Sequence, residues 1–154
     1  MKKFNIIDAL IILAVLAVGA GAVWFFTTAA DTEDGYVYFV VEMRQAMPTV
    51  PAQISAAVGG EIRDSVRNYL LGQIVDVRHQ PAYGVTFDNT TATFNNVPVP
   101  ERYDVFITIR GRGTFSPSQI LTEGQPVRVG MEKFLRGRGF AAIGVVVEVT
   151  PMPN

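Results

Sequence analysis

Between Ala9 and Phe26 the chain carries no charged side chain. A helix over these roughly 18 residues is about 27 Å long, close to the ~30 Å hydrocarbon core of a bilayer. Ile6 and Ile7 extend it by half a turn. Lys2 and Lys3 precede the run, and Asp31, Glu33 and Asp34 follow it. This asymmetry predicts a single-pass anchor with its N-terminus in the cytoplasm and everything from about residue 31 outside. Trp24, Phe25 and Phe26 stand at the outer end, where aromatic rings favour the membrane interface.

A cleaved signal peptide is the rival reading, with Thr28-Ala29-Ala30 as a small-residue cleavage site. The apolar run exceeds an ordinary signal core, and three aromatic residues crowd the site, so an uncleaved anchor is expected. Asp8 reads as the third helical residue behind an Asn5 N-cap, where a carboxylate suits the positive end of the helix dipole. Ala14, Ala17 and Gly21 share one helix face and are candidate helix–helix contacts, Ala17 to Gly21 being a small-xxx-small step.

The rest is β-rich. Tyr36–Val41, Val105–Ile109 and Val145–Val149 are β-branched or aromatic runs, the last closed by Thr150-Pro151. Gln53–Val58 suggests a short helical turn. Two stretches resemble each other. Val58-Gly59 precedes Gly72-Gln73-Ile74-Val75-Asp76-Val77, and Val129-Gly130 precedes Gly144-Val145-Val146-Val147-Glu148-Val149 at nearly the same spacing. Each has a Tyr-led strand upstream. The repeat predicts two similar halves, about 36–77 and 103–149, that close one barrel-like β domain over residues 31–154. Between them, Gly84–Phe87 and Thr91–Phe94 flank Asp88-Asn89 and predict a protruding hairpin. Val97-Pro98-Val99-Pro100 continues it as extended chain. The expected fold is thus mainly β behind a tip and transmembrane helix at 1–30.

Composition excludes several chemistries. There is no cysteine, so disulfides, thiolate metal sites and cysteine nucleophiles are absent. The only histidine, His79, lies between Arg78 and Gln80 with no nucleophile motif near it, and reads as a solvated loop residue. Thirteen Lys and Arg against fourteen Asp and Glu argue against a nucleic-acid partner. Asp76 and Glu148 fall at matching places in the two halves, but alternation with valines turns them outward. No catalytic residue, cofactor or metal site is expected, and the chain is not read as an enzyme.

Two patterns suggest a ligand. Arg110-Gly111-Arg112-Gly113 and Arg136-Gly137-Arg138-Gly139 carry Gly-spaced arginines suited to a phosphate, a carboxylate or an acidic glycan, or else two turns with solvated side chains. Residues 101–154 hold seven basic against five acidic groups, and residues 31–100 four against eight. That asymmetry suits contact between protomers or with a polar partner.

Phe4-Asn5-Ile6-Ile7-Asp8-Ala9-Leu10-Ile11-Ile12 resembles the opening of the bacterial family called domain of unknown function 4330. The likeness continues through Ala57-Val58-Gly59, Leu71–Val77, Asp104–Ile109, Val127-Arg128-Val129-Gly130 and Gly144-Val145-Val146. The resemblance implies a single-pass envelope protein of the cytoplasmic membrane with one extracytoplasmic β domain. It also implies an accessory role at the cell surface, linked to surface polysaccharide, and assigns no catalytic residue. The function expected is an anchored interaction or scaffold module, with envelope proteins or a second copy as partners. The alternative is a binding module for an anionic glycan or lipid headgroup.

Overall fold

A computed structural model describes residues 6–27 and 32–153, with side chains for 11–21 and 32–153. The chain divides into two compact units, Met1–Asp31 and Thr32–Asn154.

The first unit contains helix α1 (Ile6–Thr27), 22 residues of continuous α-helix. Its described side chains, including Ala14, Ala17 and Gly21, are all exposed. Among the described residues no helix is long and apolar enough to cross a membrane. The side chains of Asp8, Trp24, Phe25 and Phe26, and residues Lys2, Lys3, Asn5, Thr28, Ala29, Ala30 and Asp31, lie outside the described residues.

The second unit is mainly β. Its elements are β1 (Glu33–Ala46), α2 (Thr49–Ser55), β2 (Glu61–Asp64), β3 (Leu70–Asp88), β4 (Thr93–Ser116), β5 (Gln119–Thr122), β6 (Gln125–Pro126), β7 (Glu132–Gly137) and β8 (Phe140–Pro153). All pairings are antiparallel. The strand order is β1-β8-β7-β2-β3-β4-β5-β6, and β1 also pairs with β4. The first six strands of that order therefore return on themselves as a closed hydrogen-bonded circuit.

Register relates the two halves residue by residue. Ile74 stands opposite Ile109, and Val146 opposite Val41. One residue is then passed over in each half, Val75 or Val147, before pairing resumes at Asp76–Thr108 and Glu148–Val40. These matching β-bulges sharpen the twist that a closing sheet requires. The Gly59 N–H donates to the Ile74 carbonyl at 2.8 Å, and the Gly130 N–H to the Val146 carbonyl at 2.8 Å. Both glycines hold left-handed backbone, φ 85° and 88°, which favours glycine. This hydrogen bond is the physical basis of the sequence repeat.

Alternation fills the interior. Val37, Phe39 and Val41 of β1 meet Val105, Ile107 and Ile109 of β4 with Ile62, Leu71, Ile74, Leu135 and Val146, all essentially inaccessible to water. The halves close their core differently. The first uses α2, whose Ile54 is buried; the second uses β5 and the segment after β6, which bury Thr122 and Val127. β8 does not stop at Thr150-Pro151 as expected but pairs on to Pro153, opposite Gly35. Beyond residue 146 it pairs only with β1, so a proline N atom that cannot donate is tolerated on its free side.

The expected hairpin exists and is long. From Tyr83–Pro98 to Asp88–Thr93, β3 and β4 pair only with each other, as a two-stranded arm. β1 begins at Glu33 opposite Phe115 and ends at Ala46 opposite Tyr103. The arm therefore leaves the end of the circuit opposite to that at which β1 enters.

Candidate functional site

The four predicted arginines do not converge. Arg110 and Arg112 lie within β4, not in a turn, two residues apart and on its outer side. They line an open cleft of about 310 Å³ with Tyr36, Glu61, Gln73 and Glu123. The Arg110 guanidinium sits 5.4 Å from the centroid of the Tyr36 ring, a cation–π distance. Its Nη2 donates to Gln73 Oε1 at 3.2 Å, and Gln73 in turn donates from Nε2 to the Gly59 carbonyl at 2.6 Å. Glu123 accepts from the Arg112 backbone N–H at 2.9 Å. Glu61 pairs with Arg63 at 3.3 Å. Among the described residues neither Arg110 nor Arg112 has a carboxylate within ion-pair distance. The cleft thus holds one oriented guanidinium and one exposed guanidinium, bordered by two carboxylates.

Arg136 and Arg138 belong elsewhere. Arg136 is on β7, opposite Arg63, and its Nη2 donates to Asn68 Oδ1 at 2.6 Å. Arg138 is exposed in the turn between β7 and β8. β2 and β3 separate β7 from β4, and Arg136 and Arg138 do not line the cleft of Arg110 and Arg112.

His79 is exposed, but on β3 and not in a loop, edge-on to the Tyr103 ring at 5.7 Å. Asp76 and Glu148 are exposed. Among the described residues no group of three or more His, Cys, Asp or Glu is placed to hold a metal ion.

Two features escaped sequence reasoning. The first is Lys133, only 3% exposed, whose Nζ donates to the Pro126 carbonyl at 3.0 Å. Burial pushes its pKa below the ordinary value, and Asp64 opposes that shift. Asp64 is also buried. Its Oδ1 accepts from the Val66 and Arg67 backbone N–H groups at 2.9 and 2.6 Å, shaping the β2–β3 turn. Burial, and secondarily Asp64, raise the pKa of Tyr69 beside it. Lys133 follows charged Glu132 in a β run, and nothing in that pattern marked it as internal.

The second is the apolar dressing of the arm. Tyr83, Val85, Phe87 and Phe94 are 46, 72, 47 and 75% exposed. Phe87 and Phe94 stand directly opposite each other with ring centroids 5.0 Å apart. At the arm's base, a cleft of about 820 Å³ opens between Arg44 and Gln45 of β1 and Tyr83, Val85 and Asn96 of the arm. Asp104 anchors this rim by accepting the Gln45 N–H at 2.9 Å.

The β unit is thus an antiparallel circuit of two similar halves with a projecting arm and a surface cleft that holds two arginines. The model of the family described as Domain of unknown function (DUF4330) matches residues 1–150, so the chain belongs to that family. No curated protein and no solved structure matches it.

Proposed function

We propose that this chain is a membrane-anchored interaction or scaffold module of the bacterial cell envelope, in which a barrel of two similar halves presents the arm to a protein partner. The arm carries the reading. A two-stranded ribbon is marginal in water by itself, yet this one holds five exposed apolar side chains, Tyr83, Val85, Phe87, Phe94 and Val97, in its last six paired positions. Patches of this kind mark contact surfaces. The anchor rests on the 22-residue α1 and on its sequence, in which Asp8 is the one charged residue. With α1 in the cytoplasmic membrane and Lys2-Lys3 inside, the β domain lies outside. Work in accessory envelope or surface-polysaccharide assembly is consistent with that placement.

The test is recovery of the full-length chain from native membranes in mild detergent, beside a Phe87→Asp/Phe94→Asp variant. The reading expects a complex of fixed proportion with the natural chain and its loss with the variant. Equal recovery from both, or the chain alone from both, overturns it.

A second reading has its own observation. Arg110 and Arg112 share a cleft in which, among the described residues, neither has a carboxylate within ion-pair distance, and that suits an anionic glycan or lipid headgroup.

A further inference from the structure

Directly opposed residues of an antiparallel pair project from the same face. On the arm this gathers Tyr83 with Pro98, Val85 with Asn96, and Phe87 with Phe94 on one face. The other face carries Thr86 with Asn95 and Asp88 with Thr93, and nearer the base Gly84 with Val97. The ribbon is therefore amphipathic toward its tip, with Val97 the one exposed apolar side chain on the second face. Its apolar face looks over the rim cleft at its base, where Tyr83, Val85 and Asn96 meet Arg44 and Gln45.

We propose that this face is covered by the same face of a second copy of the chain, about a twofold axis through Val85 and Asn96. The inference rests on the reading of the chain as an interaction module and names its partner. In such a pair the Phe87–Phe94 tip of each copy lies over Tyr83 and Pro98 of the other, because Val85 is midway between Tyr83 and Phe87 along β3. The contact is isologous, so it closes at two copies.

Charge and area support this occupant. Gln80 to Phe87 and Asn89 to Pro100 contain no charged residue, so two identical faces meet without repulsion. At their exposures in the structure, Tyr83, Val85, Phe87 and Phe94 offer about 450 Å² per copy. Two copies bury roughly 900–1,000 Å², near the threshold for a specific interface. Confinement to one membrane raises the effective concentration that so small an interface needs.

The chain has no cysteine, which makes the test direct. Facing sheets lie about 10 Å apart, so a short bis-maleimide, and not a disulfide, spans the axis. The experiment uses full-length Val85→Cys and full-length Thr86→Cys, each treated with that reagent in membranes. The expected result is a product of twice the monomer mass from Val85→Cys and monomer alone from Thr86→Cys, whose thiol sits on the opposite face. Addition of Phe94→Asp to Val85→Cys should abolish the product. Equal products from both cysteines, or none from either, overturn the pairing. A photoreactive residue at position 94 separates the two levels of the argument. An adduct with a different polypeptide overturns the second copy and leaves the interaction module standing; no protein adduct overturns both.

Discussion

Lys133 occupies on β7 the position that Ile62 occupies on β2. Lys133 stands opposite Gly144 as Ile62 stands opposite Gly72, and both side chains point inward, at 3% and 0% exposure. One half of the domain thus packs a methyl-rich side chain where the other packs an amine. A buried cation is costly unless well paired, and among the described residues Lys133 donates to one carbonyl, that of Pro126, at 3.0 Å.

Replacement by Met should therefore stabilise the fold by about 1 kcal/mol at neutral pH. Because the folded pKa lies below the ordinary 10.5, the natural chain gains stability as pH rises through that lowered value. Its advantage over acid conditions is complete once pH exceeds 10.5, where both folded and unfolded lysine are neutral. The gap between Lys133→Met and the natural chain should shrink over that window. Denaturant midpoints of both chains at neutral and alkaline pH measure it.

Gly72 and Gly144 should resist substitution in parallel. A Cβ on Gly72 would run into the Arg110 carbonyl, and one on Gly144 would lie 2.6 Å from the Glu42 carbonyl. Gly72 also holds φ 139°, which an L side chain rarely adopts. Each change to Ala should cost about 2–4 kcal/mol, and thermal unfolding of the two single variants compares them. A loss at one position only would show that the halves bear load unequally.

The arm's turn should loosen in acid. The Asp88 carboxylate accepts from the Thr90 N–H at 2.8 Å and the Thr91 hydroxyl at 2.9 Å. The Thr90 backbone bond, then the Thr91 hydroxyl, hold its pKa below the ordinary 3.8. The turn is accordingly held above that ordinary value and released as pH falls through the lowered one. Amide exchange at Thr90 should accelerate there, beyond the intrinsic rate, while Ile107 on the shared strand stays protected. Asp88→Asn should remove the acid-induced change.

If the cleft takes an anion, Arg110→Ala and Arg112→Ala should each weaken binding of an acidic oligosaccharide roughly tenfold. Arg136→Ala and Arg138→Ala should leave it unchanged. Salt should weaken it further. Titration calorimetry with the residue 32–154 unit at two salt concentrations decides this. Equal effects from all four substitutions would return the arginines to a diffuse surface charge.

Much of this architecture was legible in the residues, for identifiable reasons. Glycine with positive φ at 59 and 130, and the run of β-branched residues after Gly72 and Gly144, repeat because one hydrogen bond repeats. Outward Asp76 and Glu148 followed from alternation. What stayed hidden depends on closure. Passing over Val75 and Val147 shifts every later partner by one, and no local pattern announces it. Separation of Arg110 from Arg136 likewise depends on how many strands intervene around the circuit. Lys133 is internal only because its register is that of Ile62. The arm was foreseen as a hairpin, but its one-sided apolar face required the pairing of Phe87 with Phe94.

β4 has a mechanical consequence. It runs from the arm's tip at Thr93 to Ser116, beside the start of β1. Its 24 residues reach at most about 80 Å when extended. Between Tyr103 and Pro98, however, its pairing with β3 slips, and Glu101 there holds left-handed backbone at φ 54°, so tip and entry are not the ends of one straight rod. The aromatic pair at the tip is joined to the closed circuit through that one irregular segment, residues 99–102, with which no strand pairs, so a change there re-aims the whole arm without touching the core.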